Sequence, residues 1–168
     1  NKHKKIANTL NRFLPMYEND VEILLSRDTD SLINIREKLA VNEWLQSDKK
    51  FHIMRNNEQH STRILGGMYG IKISKIKLNK REFDEFLHKS NGIWGDDQTF
   101  LQNKIYPKIT DSVMIHDSNH HYKDEKIIPF PKSNYNDFVG NYSCNNYKEI
   151  NKKYGLNFES FERVRDTK

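Results

Sequence analysis

The chain has 168 residues, 35% of them hydrophobic and 30% charged, with a net charge of +5. That length supports one domain with a real core, and nine Phe, eight Tyr and two Trp supply large core pieces, which excludes a disordered chain. No run approaches the roughly 18 apolar residues that span a bilayer, and the lysines are scattered rather than gathered on a basic face with interleaved aromatics. The single cysteine, Cys144, excludes an internal disulfide and reads as a plain loop thiol. The expectation is a cytoplasmic protein with no transmembrane segment and no nucleic-acid partner.

Ile6 to Leu14 reads as a short amphipathic helix stopped by Pro15. Val21 to Ser26 is a short apolar run bounded by polar residues, the pattern of a buried strand. Asn34 and Glu37 have the spacing of a capping box, opening a helix to about Gln46 with Ile35, Leu39 and Trp44 or Leu45 on one side. Phe51-His52-Ile53-Met54 alternates as a second strand, Phe51 and Ile53 on one face, His52 and Met54 on the other. A polar loop from Arg55 to Arg63 then leads into Ile64-Leu65-Gly66-Gly67-Met68-Tyr69-Gly70. Three glycines in five residues, set among apolar neighbours, require a close backbone approach or φ > 0. Asn79 to His88 predicts a helix with Phe83 and Leu87 paired on its apolar side. Asp96-Asp97-Gln98 opens another, running to about Tyr106 and ended by Pro107. Val113-Met114-Ile115 is a short buried strand ending in His116-Asp117, followed by a mostly loop segment from Ser118 to Asn136. A last helix covers Tyr147 to Tyr154, with Gly155 as its C-cap. Strands alternate with helices and no repeat or interdomain linker appears, so the reading is one α/β domain over residues 1–168.

Asp28 and Asp30 leave the C-terminal end of the first strand, where open α/β sheets bind ligands. Two carboxylates placed there suit a hard divalent cation, Mn²⁺ or Mg²⁺, which in turn holds a diphosphate. The plainer reading of Asp-x-Asp is a turn or a helix cap. Asp97 and Gln98 are either residues favoured by the dipole of a first helical turn or groups facing a reacting sugar or phosphate. His116, at the end of another apolar strand, offers a neutral imidazole as a third ligand. Strand ends converge on one edge of such a sheet, so Asp28, Asp30 and His116 are expected to meet. His120 and His121 lie close by, but a small zinc site lacks the matching cysteines. Arg55 is a candidate for bidentate binding of phosphate or carboxylate, against the plainer role of a structural ion-pair partner.

Several ordered pieces now combine: Ser26-Arg27-Asp28-Thr29-Asp30-Ser31, Glu43-Trp44-Leu45, Phe51 to Arg55 and Ile64 to Gly70. Asp97-Gln98-Thr99-Phe100-Leu101, Ile105-Tyr106-Pro107, His116-Asp117, Pro129-Phe130-Pro131 and Phe138-Val139-Gly140 continue the series. In this order, from about Arg12 to Gly140, they resemble a family of uncharacterised glycosyltransferase-like proteins of bacteria and large DNA viruses. The resemblance implies a GT-A-type fold, a mixed sheet flanked by helices. It implies that Asp28, Asp30 and His116 hold Mn²⁺ (or Mg²⁺) and the diphosphate of a nucleotide-sugar donor. Arg27, Arg55, Gly66 and Gly67 would then contact the donor, and Asp97 and Gln98 would sit at the reacting centre, as in retaining transferases of the glycogenin type. A glycan or a protein would be the acceptor.

The chain departs from that family's pattern at Leu32, where the pattern has Arg, and at Asn56-Asn57-Glu58, where it has Asp-His-Pro. GT-A folds also begin with a base-binding βαβ unit, and only about 25 residues precede Asp28, against roughly 30 for one such unit. The chain therefore reads as the C-terminal portion of a longer GT-A fold, a proteolytic product or a reduced relative, with a missing N-terminal portion or a second copy in a homo-oligomer as its partner. Two other functions fit parts of the pattern. One is a haloacid-dehalogenase-type phosphohydrolase using Asp28 and Asp30 with Mg²⁺ at Gly95-Asp96-Asp97. The other is a degenerate, non-catalytic module that binds glycans or a protein.

Overall fold

A computed structural model describes residues 8–132 and 138–141; Ile6, Cys144 and the helix expected over 147–154 lie outside the described residues. Five strands form one mixed sheet: β1 (Ile23–Arg27), β2 (Phe51–Arg55), β3 (Met68–Lys72), β4 (Val113–Asp117) and β5 (Ile127–Ile128), in the order β1-β3-β2-β4-β5. β3 is antiparallel to both of its neighbours, whereas β2, β4 and β5 run parallel. The C-terminal ends of β1, β2 and β4 therefore share one edge of the sheet with the start of β3. The class is α/β, as the alternation of elements predicts.

Helix α1 (Ile35–Gln46) covers one face. The other is covered by a 3₁₀ helix (Asn8–Tyr17), by α2 (Lys80–Lys89) and by α3 (Asp96–Phe100), which continues as a π-helical turn (Leu101–Ile105) and a 3₁₀ turn (Tyr106–Lys108). The first element is 3₁₀ rather than the expected α-helix, and Pro15 lies inside it. Its apolar residues explain the choice: Leu10, Phe13 and Met16 recur every three residues, the period of a 3₁₀ helix, and all three are buried.

The main core lies between these helices and Phe51, Ile53, Tyr69, Ile71 and Ile115 of the sheet. Phe13 sits at its centre, 5.0 Å from the Phe100 ring, 6.0 Å from Phe83 and 6.5 Å from Tyr69. Each such side chain contributes about 1.5–3 kcal/mol by leaving water. A smaller core on the opposite face joins Ala40 and Val41 of α1 to Met54, Met68 and Val139. The alternation in β2 is the one expected, Phe51 and Ile53 towards the first core and Met54 towards the second.

Two expectations are corrected. β1 is not a buried strand: among the described residues it pairs only with β3, and Ile23 and Leu25 are exposed. In α1 the buried residues are Glu37, Ala40, Val41 and Trp44, while Ile35 and Leu39 face solvent. Trp44 and Ile35 are about two and a half turns apart, hence on opposite sides. The indole wins the inward position because Gly70 leaves room for it: a Cβ there would stand 2.8 Å from Trp44 and 2.9 Å from Leu25. Asn34 caps α1 by accepting the Glu37 N–H at 2.8 Å, whereas the Glu37 carboxylate pairs with Arg27. Among the described residues, no helix is long and apolar enough to cross a membrane.

Candidate functional site

Where β1 ends, the chain turns at once, the Ser31 N–H donating to the Asp28 carbonyl at 3.1 Å. Beside it, Leu65 to Met68 makes a second tight turn that opens β3, closed by a 3.1 Å bond from the Met68 N–H to the Leu65 carbonyl. The Ser26 hydroxyl donates to the Gly66 carbonyl at 2.6 Å and fastens this turn to β1. From the far side comes α3, entered through Gly95 in the left-handed region at φ 91°. These turns, the 3₁₀ helix and the start of α3 enclose a cleft of about 280 Å³. Asp28, Gly66, Gly67, Asp97 and Gln98 line it, and Thr9, Arg12, His60 and Trp94 join them.

The two glycines do not have positive φ; what they provide is close approach. A Cβ on Gly67 would fall on the Asp28 carboxylate, 2.7 Å from Oδ1, and one on Gly66 would meet the Arg12 guanidinium and stand 2.6 Å from Asp97 Oδ2. The backbone is thus packed directly against the two carboxylates. Asp97 is nearly buried, and its Oδ1 accepts the Gln98 N–H at 2.9 Å; Asp28 keeps 48% of its side chain exposed. Arg12 stands between them, 3.1 Å from Asp28 and 3.7 Å from Asp97.

The chain matches no known protein family, no curated protein and no solved structure. The cleft must therefore be read from its own chemistry. His60 has its pKa lowered, first by burial and then by His120, with Asp117 and Asp28 opposing. Its Nδ1 accepts the Asn56 N–H at 3.1 Å, so the neutral ring carries its proton on Nε2. The Thr9 hydroxyl is buried in the wall of the cleft with no hydrogen-bond partner among the described residues. Unpaired buried hydroxyls are rare, and one lining a cleft is ready for a ligand. The acidic donors of the cleft are all oxygens, which suits Mg²⁺ or Mn²⁺ rather than a softer metal. Among the described residues no three His, Cys, Asp or Glu side chains converge as a ready-made cation site. A cation held by Asp28 and Asp97 would complete its coordination with substrate oxygens and water, the usual habit of Mg²⁺.

Four of the residues singled out by sequence stand elsewhere. His116 is inside β4 rather than beyond its end, because that strand runs two residues past the apolar run. Its ring consequently points to the α1 face, with Nδ1 2.8 Å from His52 Nε2 and Nε2 3.3 Å from Glu43, and is not brought to Asp28. Burial lowers its pKa, while Glu43 opposes. Arg55 is wholly buried: Nε donates to Asp117 at 2.8 Å, one terminal nitrogen to the Arg63 carbonyl at 2.9 Å, and the other pairs with Glu125. Burial pushes the Asp117 carboxyl up, but the His120 and Asn119 N–H groups and Arg55 outweigh it and hold the pKa below the usual value. Arg27 is likewise engaged by Glu37 and by the Tyr69 carbonyl at 3.0 Å. Asp30 is exposed on the turn after Asp28 and does not line the cleft.

No sequence motif pointed to Arg12, His60, Thr9 or Trp94. Only the 3-residue apolar period around Arg12 was a usable signal, since it puts Thr9 and Arg12 together on the adjacent face of a 3₁₀ helix.

Proposed function

We propose that this chain is the metal- and acceptor-binding part of a GT-A-type glycosyltransferase, moving a sugar from a nucleotide-sugar donor to a glycan or protein acceptor. One observation carries the reading: Asp28, Gly66, Gly67, Asp97 and Gln98, distant in sequence, line one cleft at the C-terminal edge of β1. Open α/β sheets bind their ligands at that edge. Mn²⁺ or Mg²⁺, held by Asp28 and Asp97, would supply charge neutralisation for the departing diphosphate. In this reading Arg12 exchanges its carboxylate contacts for a diphosphate oxygen, as a guanidinium readily does. The glycine turn lets the sugar approach the backbone, and Asp97 with Gln98 orients it. Neutral His60 contributes an Nε2–H donor at the opposite wall.

Asp96 argues against the phosphohydrolase reading. Its carboxylate accepts from the Ser90 hydroxyl and from the Ile93 N–H at 3.2 Å, so it is engaged in shaping the approach to α3 instead of facing the cleft. A thermal-shift titration tests the proposal. Mn²⁺ with UDP or GDP is expected to stabilise the chain, and Asp28→Asn and Asp97→Asn to lose that stabilisation. No shift with either nucleotide, or shifts indifferent to both substitutions, would leave a non-catalytic module as the better account.

A further inference from the structure

The chain has two tryptophans, and they have opposite fates. Trp44 is fully buried, whereas Trp94 is 90% exposed, the most exposed of the large apolar residues described. An indole left in water forgoes the largest burial gain of any side chain, so its position needs a reason. Trp94 also lines the cleft, beside Asp97 and Gln98.

The loop that carries it is fixed. The Ser90 hydroxyl bonds to the Asp96 carboxylate, the Gly92 N–H donates to the Ser90 hydroxyl at 3.0 Å, and the Ile93 N–H donates to Asp96 at 3.2 Å. Gly92 and Gly95 supply the left-handed conformations that bend the chain on either side of the indole. An exposed aromatic ring is thus held at the mouth of a polar cleft rather than left on a loose tip.

We propose that Trp94 is the stacking platform for a pyranose ring of the acceptor saccharide. A pyranose presents a face of C–H groups and a rim of hydroxyls. The first matches a flat indole, and the second matches the amide of Gln98, which lines the same cleft. Covering the exposed indole with that C–H face takes apolar area of both partners out of water, and its loss is read as a drop of about tenfold or more in affinity. The inference rests on the transferase reading for the words acceptor and donor, but its physical content, saccharide on Trp94, stands separately.

Because Trp44 is buried, acrylamide quenching of the fluorescence reports on Trp94. The probes are methyl glycosides of glucose, galactose, mannose and N-acetylglucosamine, their β-linked and α-linked disaccharides, and uridine and guanosine as controls. At least one saccharide is expected to protect Trp94 from quenching, saturably. Trp94→Ala is expected to weaken that saccharide's binding by calorimetry about tenfold or more, while leaving the Mn²⁺-nucleotide thermal shift intact. Protection by no saccharide, equal affinity in Trp94→Ala, or protection by the nucleosides alone would each overturn the proposal. If the nucleotide shift survives when saccharide protection fails, only this inference falls. If saccharides bind and no nucleotide does, this inference holds and the transferase reading falls.

Discussion

The buried histidine pair makes this fold acid-sensitive in a calculable way. His52 Nε2 and His116 Nδ1 lie 2.8 Å apart, and His116 Nε2 is 3.3 Å from Glu43. One tautomer satisfies both bonds: His52 donates from Nε2 to His116, which donates from its own Nε2 to Glu43. Trp44 stacks on His52 at 5.4 Å, and His52 Nδ1 has no partner among the described residues. Protonating His52 would put a charge and an unpaired N–H into that layer. Its pKa is accordingly well below 6.5, from burial first, then His116 and Arg27.

The sign follows from linkage. A histidine whose folded pKa is lowered binds fewer protons folded than unfolded, so its stability contribution is complete above the unfolded pKa and is lost as pH falls below it. As pH falls from about 7.5 to about 5, His52 draws stability down by at most about 1.36 kcal/mol for each pH unit below 6.5, the ceiling that linkage sets for one group. His116 adds a smaller loss of the same sign because Glu43 offsets part of its burial. Urea unfolding at constant ionic strength measures this directly. His52→Gln, which does not titrate, is expected to start less stable and to lose less stability over the same interval. A midpoint that stays constant on acidification, or an equal pH slope in His52→Gln, would refute the reasoning.

Gly67→Ala places a methyl group on the Asp28 carboxylate, which is half exposed and can turn aside by giving up its contact with Arg12. The fold should lose under about 1 kcal/mol by chemical denaturation, whereas Mn²⁺-nucleotide stabilisation should drop strongly. Arg55→Leu leaves the buried Asp117 carboxylate without a cation while Glu125 keeps Arg63, and urea unfolding should show a loss of about 3 kcal/mol. That loss should appear without any dependence on added nucleotide, since Arg55 does not line the cleft.

Much of the site's composition was legible in the sequence because strand ends announce themselves. An apolar run followed by Asp28, and a glycine cluster between polar and apolar stretches, mark local events that neighbouring residues largely dictate. The helix start at Asp96 is of the same kind. His116 and Arg55 show the limit. Each stands at the end of an apolar run, but pairing between β2 and β4 continues through Met54–His116 and Arg55–Asp117. In a strand, one more paired residue decides which face a side chain takes, and pairing is a property of two segments.

Local sequence therefore determined the α/β class, most of the elements, and the placing of Asp28, the glycine turn and Asp97 at element ends. Tertiary structure decided which of those ends meet. It put Arg12 between two carboxylates, left β1 paired only with β3 among the described residues, drew His116 into a buried pair with His52, and set Trp94 at the mouth of the cleft. Hydrogen-bond period and capping act within a few residues, whereas burial and charge pairing act between segments far apart along the chain, and so only the packed fold shows them.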